Sequence, residues 1–149
     1  VNCLRIITAR KANQIVPLSG LLKAGSSASP CDNWAAGGII IGVNLKTGKL
    51  NEHGFYKPAY GRKVAAHPET GVRFKDFDVP YLAQSVELAR QVHRYFYGIH
   101  SIGWDIAVTP EGPVMLEGNE RWDTQMQQVH DPQIKDKFLA TLPSSEGGC

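Results

Sequence analysis

Two carboxylates and an amide, Asp105, Glu117 and Asn119, stand at a spacing that could grip a small hard cation. They lie in the stretch SIGWDIAVTPEGPVMLEGN, residues 101–119, which reads as two short strands joined at Pro110, Glu111 and Gly112. With those three residues as the loop and Gly112 in its left-handed position, Asp105 falls opposite Glu117, Ala107 opposite Met115 and Gly103 opposite Asn119. Side chains alternate along a strand, so Asp105, Glu117 and Asn119 share one face, while Trp104, Ile106, Val108, Val114 and Leu116 share the other. Like charges directly across a hairpin cost up to about 1 kcal/mol, and a cation between them removes that cost. The donors are all oxygen, with no His or Cys, which favours magnesium over zinc, and magnesium held by few protein ligands leaves other positions to water and phosphate. Two other readings stay open. The acids can lie on a wet face beside Lys or Arg partners, and a turn made of Glu111 and Gly112 alone would set Asp105 opposite Gly118.

The elements that must position these groups belong to a chain of 149 residues, the size of one domain, with 42% apolar and 20% charged residues as in an ordinary globular protein. A net charge of +2 with scattered Lys and Arg argues against a nucleic-acid partner. No apolar run is long enough for a membrane span and no leader pattern opens the chain, so a cytoplasmic protein is expected. Three cysteines, Cys3, Cys31 and Cys149, are too far apart for a metal or redox motif and read as reduced thiols.

Residues 3–8 and 14–23 read as strands joined by a polar turn at Lys11, Ala12 and Asn13, and they bring two cations, Arg5 and Lys23, towards a common place. A loop of small residues, 25–30, precedes Gly37 and Gly38 and the apolar strand 39–45, which turns at Thr47 and Gly48 into Lys49 and Leu50. Residues 52–80 show little periodicity and read as irregular. From Pro80 to Tyr97, Leu82, Val86, Ala89, Val92 and Phe96 recur at helical steps, with Asp78 and Gly98 as expected caps and His93 on the helix flank. Asp131 and Pro132 start a short helix ending at Ala140, and residues 143–149 read as a frayed tail.

The stretch from Gly103-Trp104-Asp105 to Glu117-Gly118-Asn119 resembles the metal-binding end of the ATP-grasp fold, in its sugar-transfer-associated, alpha-L-glutamate-ligase-related branch. Asn2, Arg5, Ile6 and Thr8 match a strand pattern of that family, and Asp32-Asn33 with Gly37-Gly38 matches a segment on the substrate and phosphate side of its cleft. The resemblance implies an α+β fold, a C-terminal ATP-grasp lobe of mostly antiparallel sheet with one long amphipathic helix and a short C-terminal one. Residues 1–142 would form the C-terminal part of a longer domain whose adenine-binding half lies upstream. It implies ATP and Mg2+ as cofactors, Asp105, Glu117 and Asn119 as metal ligands, and Arg5 as the contact to the transferring phosphate. Lys23, Asn33, Gly37 and Gly38 then become nucleotide-side residues, and His67, in His67-Pro68-Glu69-Thr70-Gly71, lies on a loop near the cleft. The implied reaction is a ligase's: ATP phosphorylates a small-molecule carboxylate, and an amine or other nucleophile attacks the acyl phosphate. Glu120-Arg121 departs from the Pro-Gly that follows Glu-x-Asn in better-known ligases, which leaves the substrate class open. The rival reading is a noncatalytic carbohydrate-binding or interaction module that uses Trp34, Trp104, Trp122 and the tyrosines for stacking.

Overall fold

The protein is described by a computed structural model over residues 2–25, 34–57 and 62–143. Its frame is a seven-stranded antiparallel sheet of order β5-β4-β3-β2-β1-β6-β7. The strands are β1 (Cys3–Lys11), β2 (Gln14–Ala24), β3 (Ile39–Val43), β4 (Leu50–Phe55), β5 (Lys63–Val64), β6 (Ser101–Thr109) and β7 (Gly112–Asn119). The α+β expectation is borne out.

β1 is buried on both faces from Cys3 to Ala9, which is why its sequence alternates only weakly. Pro17 sits opposite Thr8, where the β1–β2 register shifts, a position that tolerates a residue with no N–H to give. On one face Leu4, Ile6, Ile39, Ile41, Trp104 and Ile106 form the main core with Leu82 and Ala89 of α1 (Leu82–His93). The other face is partly covered by α2 (Thr124–Gln128) and α3 (Ile134–Leu139), whose Met126 and Ile134 pack on it.

Four expectations need correction. The long helix is shorter than residues 80–97: Tyr81 stands at its N-cap with φ 54°, and Asp78 instead pairs with Lys49 at 3.2 Å. At its other end the Arg10 guanidinium donates to the carbonyls of His93 and Phe96, at 3.2 and 3.1 Å, and the chain leaves the helix before Gly98. His93 is fully buried rather than on the flank. The stretch 52–80 begins as strand, because β4 continues to Phe55. Its periodicity is hidden by Gly54, where a Cβ would come within 2.7 Å of Ile39 and 3.0 Å of Phe74, so a glycine takes the place of an apolar core residue.

The fourth concerns the hairpin β6–β7. Thr109 pairs with Gly112, so the turn holds two residues, and Ala107 faces Val114 rather than Met115. A shift between Asp105 and Ile106 then restores the expected pairing, Asp105 with Glu117 and Gly103 with Asn119. As a result Met115 packs against the core, while Val114 and Leu116 are exposed. The unforeseen α2 is capped by Asp123, whose carboxylate accepts from the backbone N–H of Gln125 at 2.9 Å and Met126 at 3.3 Å. Residues 144–149 of the expected tail lie outside the described residues. No helix among the described residues is long and apolar enough to cross a membrane.

Candidate functional site

The sheet register puts Arg5 and Asp105 directly across from one another on β1 and β6, on the face that carries α2 and α3. Lys23 of β2 reaches the same point from the far side of β1. Arg5 donates from Nε to Asp105 Oδ1 at 2.5 Å and from Nη2 to Oδ2 at 2.7 Å, a two-pronged grip suited to the planar guanidinium. Lys23 Nζ donates to Oδ2 at 2.9 Å. Arg5 and Lys23 are each 8% exposed and Asp105 5%, so two cations meet one carboxylate with little exposure to bulk water.

Burial alone would raise Asp105, but the hydrogen bonds and charges of Arg5 and Lys23 outweigh it and hold the carboxyl below its ordinary range. Burial likewise pulls Arg5 down, and Asp105 with a smaller share from Glu117 more than reverses it. Asp105 is therefore an anion at neutral pH, fixed in direction by its partners.

Glu117, opposite Asp105, is exposed, and Asn119 is half-buried with its amide donating to Glu117 Oε1 at 3.0 Å. The structure thus brings Asp105, Glu117, Asn119, Arg5 and Lys23 to one patch. Among the described residues no group of three or more His, Cys, Asp or Glu side chains converges as a metal cage. Asp105, Glu117 and Asn119 offer the oxygen donors a hard cation takes, but both Asp105 oxygens already accept from Arg5 and Lys23, so a cation here would have to compete with those two side chains.

The remaining sequence candidates have plainer surroundings. Asn33 lies outside the described residues. Gly37 has φ 96° with open space where a Cβ would stand, and makes the turn after the short 3-10 segment Trp34–Ala36; Gly38 is buried just before β3. Because Ile39 pairs with Ala24 and Ile40 with Lys23, both glycines enter the sheet at the Lys23 end of the patch. His67 bonds through Nε2 to the Gly25 carbonyl at 2.9 Å, tying its loop to the end of β2.

Trp34 and Trp104 are each 2% exposed and serve the core, which leaves Trp122 as the half-buried member of the three tryptophans. Sequence reasoning missed two polar groups. One is Thr8, His93 and Trp104 beneath α1; the other is Ser19, Gln127 and His130 beneath α2. The first has no local signal, since its members lie tens of residues apart; in the second Gln127 and His130 are three residues apart, but Ser19 joins them only through the fold.

Residues 1–140 match the model of a protein family described as sugar-transfer associated ATP-grasp. No curated protein and no solved structure matches the chain.

Proposed function

The chain belongs to the sugar-transfer associated ATP-grasp family, and from that membership we propose that it binds ATP with Mg2+ and activates a carboxylate substrate for attack by an amine or other nucleophile. The observation that carries this reading is the register: Asp105 faces Glu117 on the one sheet face that also presents Arg5 and Lys23. Asp105, Glu117 and Asn119 would hold the metal, and Arg5 and Lys23 would meet phosphate oxygens.

Bound ATP and Mg2+ would supply phosphoryl transfer to a carboxylate oxygen, in which positioning and charge neutralisation are most of the catalysis. The chain's own part is orientation. Arg5 is held by two bonds to Asp105 and by the sheet, so its guanidinium reaches the reaction with little freedom left to lose. Glu117, exposed at the rim, can change partners without unfolding anything. A cytoplasmic setting, where ATP is supplied, accompanies this reading. The carbohydrate-module alternative loses the buried Trp34 and Trp104 but keeps half-buried Trp122 and exposed Tyr95 and Tyr97; what weighs against it is the pairing of Asp105 with Glu117 across the hairpin, which a stacking surface does not need.

Calorimetric titration of the protein with Mg2+ and a nonhydrolysable ATP analogue tests the proposal. Metal-dependent binding that weakens at least tenfold in Glu117→Gln, a substitution at an exposed position, supports it. Binding that is unchanged in Glu117→Gln and in a folded Asp105→Asn variant removes the metal role.

A further inference from the structure

A groove of about 800 Å³ opens on the same sheet face, between the β3–β4 turn, the first half of β2 and α3. That is the size of a small-molecule site. It is a separate compartment from the Asp105 patch: Ser19 at the groove and Lys23 at the patch are four residues apart on β2, roughly 13 Å at the rise of a strand. Met126 of α2 packs with Leu21 and Ile40 between them.

The floor is built from polar groups whose directions can be assigned. Gln127 Oε1 accepts from Ser19 Oγ at 2.8 Å and lies 3.2 Å from His130 Nε2. A carbonyl oxygen has no proton to give, so Nε2 carries the hydrogen and Nδ1 keeps a lone pair. Burial pushes His130 down to about 4, so the ring is neutral at physiological pH. Nδ1 and the Asn51 amide crowd together over Gly42, where an added Cβ would stand 2.6 Å from the first and 2.4 Å from the second. A glycine is what lets an acceptor and an amide reach one spot above bare backbone. Lys11, Lys46 and Lys137 stand at the groove wall with Asp131, which Lys137 holds at 2.6 Å.

We propose that this groove binds a small polyhydroxylated anion, a sugar phosphate or sugar acid, through ligand hydroxyls on His130 Nδ1 and Asn51 and its anionic group on the lysines. A neutral imidazole lone pair accepts from a hydroxyl, and a carboxamide both donates and accepts, so the pair reads hydroxyl groups and not a bare anion. The lysines outnumber the one acid in the groove wall and select for negative charge. Val16, Pro17 and Leu45 add apolar surface to the groove, against which a sugar ring can lie. The site uses none of the residues assigned to nucleotide or metal.

The test is a titration of the protein, without nucleotide, against glucose 6-phosphate, glucuronate, glucose and inorganic phosphate, read by calorimetry and by the His130 imidazole resonances. One of the two charged sugars is expected to bind at least tenfold more tightly than both glucose and phosphate and to move the His130 signals; which of the two does so identifies the anionic group. Asn51→Ala, at an exposed position, is expected to weaken that binding at least tenfold and Lys46→Ala a few-fold, with melting curves unchanged. Glu117→Gln is expected to leave it intact. Absence of binding by either charged sugar, equal binding of glucose or of phosphate alone, or loss of binding in Glu117→Gln with retention in Asn51→Ala would each overturn the assignment.

Discussion

Strands β1 and β6 carry two polar networks back to back, and their difference separates function from architecture. On one face Arg5 and Lys23 share Asp105; on the other Trp104 Nε1 donates to Thr8 Oγ1 at 2.8 Å, and Thr8 Oγ1 stands 2.7 Å from His93 Nδ1. His93 Nε2 in turn donates to the Ile99 carbonyl at 3.1 Å, so the neutral ring has Nδ1 free to accept the Thr8 hydroxyl proton. The second chain is neutral and closed, with each donor matched to one acceptor. The first is charged, has two cations to one buried acid, and borders the exposed Glu117. A closed neutral network specifies a core; a charged one that borders an exposed acid has something left to offer a ligand.

The sharpest way to break this contrast is to remove Asp105. Asp105→Ala leaves Arg5 and Lys23 buried without their shared carboxylate, and a loss of about 3–5 kcal/mol is expected in urea denaturation. Replacing all three together, Arg5→Met, Lys23→Met and Asp105→Leu, should recover most of that stability while abolishing metal-dependent nucleotide binding. Failure of the triple variant to recover would show that the charges are structural in the way the Thr8 network is.

Acid titration separates the networks next. His93 and His130 are both held below their ordinary value of 6.5, chiefly by burial, so the unfolded chain takes up their protons first. Stability is full above about 6.5 and falls as pH drops below it; for His130 the fall continues to about 4 and totals at most about 3 kcal/mol. Asp105, also lowered, keeps its contribution above its unfolded value of 3.8 and loses it only as pH falls further. Denaturation midpoints followed from pH 7.5 to 3 should therefore show a histidine phase before a carboxylate phase, and His130→Gln should shrink the first alone.

Thr8→Val tests the closed network by itself. It removes the acceptor for Trp104 and the donor for His93, and about 1–3 kcal/mol of destabilisation is expected with nucleotide binding on the opposite face unchanged. The smallest effect belongs to the exposed pair Lys49 and Asp78, where Lys49→Ala should cost less than about 1 kcal/mol in the same denaturation assay.

What was legible beforehand is local. The pairing of Asp105 with Glu117 was readable from a hairpin of two alternating strands, and it survived a mistaken loop length only because the shift beside Asp105 added back the residue that the turn had lost. The helical steps of Leu82, Val86, Ala89 and Val92 were readable for the same reason, although the helix stops at His93, whose carbonyl also accepts from Arg10. Strand β4 was expected at its start, Leu50, but its continuation to Phe55 was missed where a glycine, Gly54, takes the place of an apolar core residue.

Taken alone, the sequence determined the local pattern, alternation along a strand and recurrence along a helix, because these are settled within a few bonds of each residue; which face each side chain takes was decided by the turn and the shift beside Asp105, which moved Val114 and Leu116 outward. The tertiary structure decided which face is closed and who meets whom. Arg5 and Asp105 are a hundred residues apart and Ser19 and Gln127 are 108, and only the closed fold makes neighbours of them. Burial and hydrogen-bond direction follow from that closure, so the charge on Asp105, the tautomer of His93 and the lone pair of His130 are properties of the assembled sheet.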